Sequence, residues 1–184
     1  MTRIERSAEF EALFADVKGR NTADYLIRTA QQHHVHMSAM ADTKANIIIT
    51  VSSIVLTLSL GRLNEPSIQQ SAVVLMAFTL IALLLAVLAV LPKYRPIATK
   101  KDSLPASFNV MFFGHFAALE REQFYAEMAH ALRSDPATYH ALANDLYSLG
   151  YYLAKHKYRY LRFSYLVFLT GFIAAALLQI PRFV

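Results

Sequence analysis

Four basic residues, Lys155, Lys157, Arg159 and Arg162, alternate with Tyr151, Tyr152, Tyr158 and Tyr160 immediately before a long apolar run. That mixture has two chemical uses. Juxtamembrane cations attract anionic lipid, and interfacial tyrosines anchor a helix at headgroup level. The same groups could clasp a nucleotide phosphate and stack a base. Lys155, Lys157, Tyr158, Arg159 and Arg162 are therefore the candidate nucleotide-binding residues. Duplex nucleic acid does not fit so small a membrane-anchored patch, and no DNA or RNA partner is expected.

A second constellation runs through an earlier, weaker apolar stretch. Asp42, Asn46, Thr50, Ser53, Thr57 and Gly61 recur at steps of 4, 4, 3, 4 and 4, which places them on one helical face. The opposite side carries Ile47, Ile48, Val51, Ile54, Val55 and Leu58. Small hydroxylated residues can mediate close helix contacts in a membrane. Polar membrane residues also line pathways, so Asp42, Lys44, Asn46, Thr50, Ser53 and Thr57 are candidates for either helix packing or pore lining. Asp42 and Lys44 sit at the inner mouth of this stretch. They suit a helix N-terminal acid and a snorkelling amine, or a pairing at the membrane boundary.

His33, His34 and His36, with Met37 and Met40 nearby, lack the i, i+4 histidine pair and acidic base of a zinc-protease helix, and no metal site is expected. No glycine-rich phosphate loop, Ser/His/Asp set or convergent acid pair is present, nor any His-Asp dipeptide. No enzyme activity and no cofactor are expected. The absence of cysteine excludes disulfides, thiolate zinc sites, iron–sulfur clusters and cysteine nucleophiles.

The elements that must position these residues follow from composition. Of 184 residues, 55% are hydrophobic and 17% charged, well below the roughly 25% charge of soluble domains. Residues 72–91 are apolar but for Thr79, and about 20 such residues cross a bilayer core. Residues 163–180 form a second run, closed by Pro181. Residues 45–63 form a third, diluted by Asn46, Thr50, Ser52, Ser53, Thr57 and Ser59, and joined to the 72–91 run by a short turn holding Pro66. The first twenty residues carry Glu5, Glu9, Glu11 and Asp16 without an apolar signal core, so an uncleaved anchor is expected. Of the 18 Lys and Arg, six lie in residues 1–44, ten in 93–162, and the other two are Arg62 and Arg182. Three spans place the two richer segments on one side, so the positive-inside rule predicts a cytosolic N-terminus.

The remainder reads as helical. Phe10, Leu13, Phe14, Val17, Leu26, Ile27 and Ala30 give a helical stripe broken around Gly19-Arg20-Asn21. Pro92, Pro96 and Pro105 mark a non-helical link. A helix is predicted from about Phe108 to Arg133, with Phe112, Phe116, Leu119, Phe124, Met128 and Leu132 apolar. At Ser134-Asp135-Pro136 the pattern stops and restarts, with Asp as cap and Pro in the first turn. No proline follows until Pro181, so one helix should run from Ala137 to Ile180. Its seam is Tyr139, Leu142, Leu146, Leu149, Leu153, His156, Tyr160 and Phe163, which must pack on the preceding helix or on another subunit. Gly150 suggests close helix approach.

The expected organisation is thus an all-α membrane protein with three transmembrane helices and a cytosolic helical hairpin, its last cytosolic helix continuous with the third span. N-terminal cytosolic helices occupy 1–44, a transmembrane hairpin 45–92 (spans about 45–63 and 72–91), the cytosolic hairpin 93–162, and the third span with a short external tail 163–184. A homo-oligomer in the lipid bilayer is expected.

Three stretches carry a family resemblance. Ala41-Asp42-Thr43-Lys44-Ala45-Asn46 runs directly into an Ile/Ser/Thr-rich span. Phe112-Phe113-Gly114-His115-Phe116 opens the soluble part. Asp145-Leu146-Tyr147-Ser148-Leu149-Gly150 is followed by Leu153, Lys157-Tyr158, Leu161-Arg162 and Ser164-Tyr165. In order, spacing and placement, over roughly residues 28–180, the chain resembles the Pycsar effector family, membrane type. The resemblance implies a bacterial anti-phage effector in the inner membrane. A partner cyclase makes cyclic CMP (cCMP) or cyclic UMP (cUMP) on infection, and the messenger activates the effector, which impairs the membrane and causes abortive infection. A membrane-anchored helical scaffold, or a small channel unrelated to defence, is the alternative that the residues alone leave open.

Overall fold

The computed structural model describes residues 9–17, 19–91, 104–105 and 108–180. These are all helical or connecting: α1 Asn21–Leu60, α2 Gln69–Val90, α3 Phe113–Phe116, α4 Arg121–Ala131, α5 Asp135–Tyr152, a π-helical turn Leu153–Lys157, and α6 Tyr158–Gln179. Three rods, Asn21–Leu60, Gln69–Val90 and the continuous Asp135–Gln179, are long and apolar enough to cross a membrane. The all-α class, the three spans and the continuity of the last helix with the third span are as the sequence predicts. Pro92, Pro96 and the tail from Pro181 lie outside the described residues. The chain divides into two compact units, one of residues 1–34 and 92–151, the other of 35–91 and 152–184.

In the second unit, helices meet through small side chains. Ala41, Ala45 and Ile48 of α1, Ala86 and Ala89 of α2 and Leu161 of α6 form one buried cluster. The α1 residues recur at steps of four and three and the α2 pair at a step of three, which brings each set to one stripe of its helix. Lipid tails are as apolar as leucine, so close backbone approach and dispersion must hold such helices together. Ser164 Oγ donates to the Ala82 carbonyl at 2.7 Å, fully buried. Farther along, Gly171 lies against Phe78, and the Gln179 amide donates to the Ser71 hydroxyl. Rising numbers on α6 meet falling numbers on α2, so these two helices run antiparallel.

The first unit is organised around Asn109, which is 2% exposed. Its amide donates to Asp145 Oδ1 at 2.9 Å, and Gln31 Nε2 donates to Asp145 Oδ2 at 3.0 Å. One carboxylate therefore ties α1, α5 and the segment before α3. The Asn109 side-chain Oδ1 accepts from the Met111 N–H at 2.9 Å. That local side-chain turn competes with helical hydrogen bonding. The helix expected from about Phe108 is accordingly absent there: Phe112 is extended, α3 spans one turn, and α4 begins only at Arg121. The restart after α4 also differs by one residue. Ser134 Oγ accepts from the Ala137 N–H at 3.4 Å and is the cap, while Asp135 accepts from the Gly19 N–H at 3.1 Å. Gly150 does mark a close approach, because a Cβ there would sit 2.9 Å from the His34 ring.

His115 Nδ1 accepts from the Asn109 N–H at 3.0 Å, which requires a neutral ring with its proton on Nε2. Burial holds its pKa below the ordinary 6.5, so the folded state resists protonation more than the unfolded chain does. Stability from this source is complete above pH 6.5 and is lost as pH falls through 6.5 toward the lowered folded value. Denaturation of the protein followed across that window should show stability falling with pH, with a smaller slope in His115→Gln.

A side chain at 171 would collide with the Cβ of Phe78, whereas at Gly61 the nearest atom to a new Cβ is 3.6 Å away. Gly171→Ala should therefore cost about 1–3 kcal/mol by overpacking and lower the Tm in detergent. Gly61→Ala should leave the Tm nearly unchanged.

Candidate functional site at the membrane boundary

Lys157 closes the π-helical turn and is only 8% exposed. A buried ammonium without partners would be prohibitively costly, and this one has a complete set. Its Nζ donates to Ser38 Oγ at 2.8 Å, to the Ser38 carbonyl at 3.3 Å and to Asp42 Oδ2 at 2.8 Å, with Asp42 Oδ1 at 2.7 Å. All the acceptors come from two residues of α1 one helical turn apart. Two phenols of α6 reach the same helix: Tyr158 donates to the Met37 carbonyl at 3.0 Å and Tyr165 to the Lys44 carbonyl at 3.3 Å. Rising numbers on α1 meet rising numbers on α6, so these two helices run parallel.

The π-turn explains why this lysine points inward. A π-turn accommodates one residue more than an α-turn, which rotates everything beyond it by about 100°. Of the expected seam, Tyr139 and Leu153 are buried and Leu142, Leu146 and Leu149 half-buried. Beyond Leu153 the buried positions are Lys157, Leu161, Ser164, Gly171 and Ala175, one residue later than the predicted His156, Tyr160 and Phe163. Phe163 is instead 47% exposed.

The five candidate nucleotide ligands do not share a face. Lys155, Arg159 and Arg162 are exposed, Lys157 is buried in its ion pair, and Tyr158 is half-buried with its hydroxyl engaged. Among the other candidates, Asp42 is the partner of Lys157, and Lys44 is exposed. Asn46, Thr50, Ser53 and Thr57 lie along an exposed face of α1. Ser53 and Thr57 donate to carbonyls of their own helix, Ile49 at 2.8 Å and Ser53 at 2.9 Å. The buried side of α1 is a different stripe, Ala41, Ala45, Ile48, Ser52 and Ser59. Contacts among the described residues therefore leave the Asn46–Thr57 face uncovered.

No group of metal ligands occurs among the described residues, and the three neighbouring histidines do not converge. In the first unit a cavity of about 60 Å³ lies among Phe108, Asn109, Glu127, His130, His140 and Asn144. It is far smaller than the roughly 300–1,000 Å³ of a small-molecule pocket.

Sequence reasoning missed the Lys157–Asp42–Ser38 cluster, although a signal was present. Lys155, Arg159 and Arg162 fall at steps of four and three, which leaves Lys157 off their face. Asp42 is the last acid of α1 and the natural counter-ion.

Compared with known proteins, the chain matches the family described as the Pycsar effector protein domain over residues 25–181. No curated protein and no solved structure matches it.

Exposure makes the ion pair asymmetric: the Lys157 side chain is 9% exposed and that of Asp42 43%. Removing the acid strands a buried cation, whereas removing the lysine leaves a carboxylate that is partly exposed, with only its Oδ1 covered. Asp42→Ala should destabilise the protein by up to about 3–5 kcal/mol, and Lys157→Met by clearly less. Paired thermal denaturation in one detergent would check the order.

Proposed function

Because the chain belongs to the Pycsar effector family, and is thus a cyclic-nucleotide-linked anti-phage effector built as a multi-pass membrane protein, we propose that cCMP or cUMP from a partner cyclase activates it. Activation impairs the bacterial inner membrane, and the infected cell is lost before the phage matures. The working form is a homo-oligomer with its N-terminus in the cytoplasm.

The observation that carries this reading is the uncovered polar face of α1. Asn46, Thr50, Ser53 and Thr57 are exposed within a helix long and apolar enough to span a membrane. Amide and hydroxyl groups are disfavoured against hydrocarbon, so such a face suits water or another copy of the chain. An assembly that turns this face toward a common axis gives a conduit. The messenger acts by binding the open arrangement better than the closed one. About 5.5 kcal/mol of differential affinity moves such an equilibrium from 1:99 to 99:1.

In liposomes carrying the protein, cCMP or cUMP should collapse an imposed membrane potential. Thr50→Leu combined with Ser53→Leu should insert normally and leave that potential intact. Preserved potential in the wild type at saturating, demonstrably bound nucleotide would discard the conduit, as would unaltered ion flux in the double variant.

A further inference from the structure

The three cations left outside the ion pair form a site of their own. Lys155, Arg159 and Arg162 are all exposed and follow each other at steps of four and three, hence along one side of the helix. None makes an ion pair among the described residues, and no acidic residue follows Asp145 in the chain. The same side continues without a break into Leu166, Leu169 and Ile173, which are 47%, 57% and 52% exposed. One lane of the helix surface thus changes from cationic to apolar within a single turn, at the point where the apolar span begins.

That lane has the dimensions of a membrane interface. From Lys155 to Arg162 the helix rises about 10 Å, comparable to the roughly 5–8 Å headgroup layer on each side of a bilayer core. The Tyr165 hydroxyl bonds the Lys44 carbonyl at 3.3 Å, which sets Lys44, another exposed cation, at the same level. The surface is an open helix side rather than a cavity. Among the described residues of this unit it offers no enclosing wall for a base or ribose, but it does offer an apolar track for acyl chains directly beneath the charges.

We propose that Lys155, Arg159 and Arg162 bind the phosphates of anionic phospholipids, whose acyl chains lie along Leu166, Leu169 and Ile173. The guanidinium groups grip phosphate oxygens in a two-pronged fashion, and the lysine adds a point charge farther from the core. Lys157 takes no part, because Asp42 and Ser38 already occupy it. The division of labour is sharp: one cation of the collar holds the helices together, and three hold the lipid. This assignment rests on the membrane reading alone and is independent of any nucleotide.

The test uses the full chain in nanodiscs of phosphatidylcholine, with or without phosphatidylglycerol. Lipids co-released with the protein are weighed by native mass spectrometry. Wild type should enrich phosphatidylglycerol over phosphatidylcholine, more weakly as salt is raised. Each neutralised cation should reduce the enrichment on the order of fivefold, so that K155Q/R159Q/R162Q shows none. Arg62→Gln, in the turn just beyond the far end of α1, should change nothing. Arg159→Lys with Arg162→Lys, which keeps the charge, should retain most of the enrichment and guards against a folding artefact in the triple variant. Equal enrichment in wild type and triple variant overturns the proposal, as does salt-insensitive enrichment. So does a triple variant that keeps its lipid but no longer binds cCMP or cUMP, which would reassign the lane to the nucleotide. A protein that enriches lipid as described yet ignores both nucleotides would instead count against the proposed function alone.

Discussion

An ammonium group cannot approach hydrocarbon until its hydrogen-bonding capacity is met, and Lys157 meets it entirely on one neighbouring helix. Much else in the second unit follows from that requirement. For the lysine to face inward, the helix must be wound differently from its plain α register, and the π-turn supplies the change. Once it is made, Leu161, Ser164, Gly171 and Ala175 present small or well-packed faces to their neighbours, and α6 can lie close enough for Ser164 to reach a backbone carbonyl of α2. A buried ion pair is a poor source of net stability when weighed against well-packed apolar groups. Its value here is as a pin that selects one of two adjacent faces of the same helix.

The two faces explain what was legible in the sequence and what was not. Three spans, their short turn and the helical character of the remainder are fixed by apolar run length and by the scarcity of breakers, and both are visible in the residues. The seam along the last helix was legible only as far as Leu153. Past that point Tyr160 and Phe163 read as aromatic at the right spacing, with His156 the exception in the pattern, yet the helix buries the set one position later. Periodicity assumes a uniform winding, and no side chain announces a π-turn. The failure at Phe108 has a different origin: a single Asn109 side chain captures its own backbone and diverts the chain from helix.

The candidate site was legible as composition and not as geometry. A cluster of cations among tyrosines was evident, but that cluster splits into one internal and three external members. The split depends on angular position, which steps of four and three encode for Lys155, Arg159 and Arg162. The polar stripe of α1 was legible as a stripe, and its exposure shows that it is not the seam used among the described residues. Likewise the stretch Phe112-Phe113-Gly114-His115-Phe116 and the stretch beginning at Asp145 prove to share one hub, because His115 and Asp145 both hold Asn109.

In the language of lattices the π-turn is a dislocation, a surplus residue absorbed between two regular stretches of helix. Ala154 lies inside it and is exposed. A chain lacking that one residue would wind as an ordinary α-helix while keeping Leu153 and Lys157 on the buried side. This short interval is therefore the place in the third rod where one residue more or less in the winding of a turn sets which face of the downstream helix is buried.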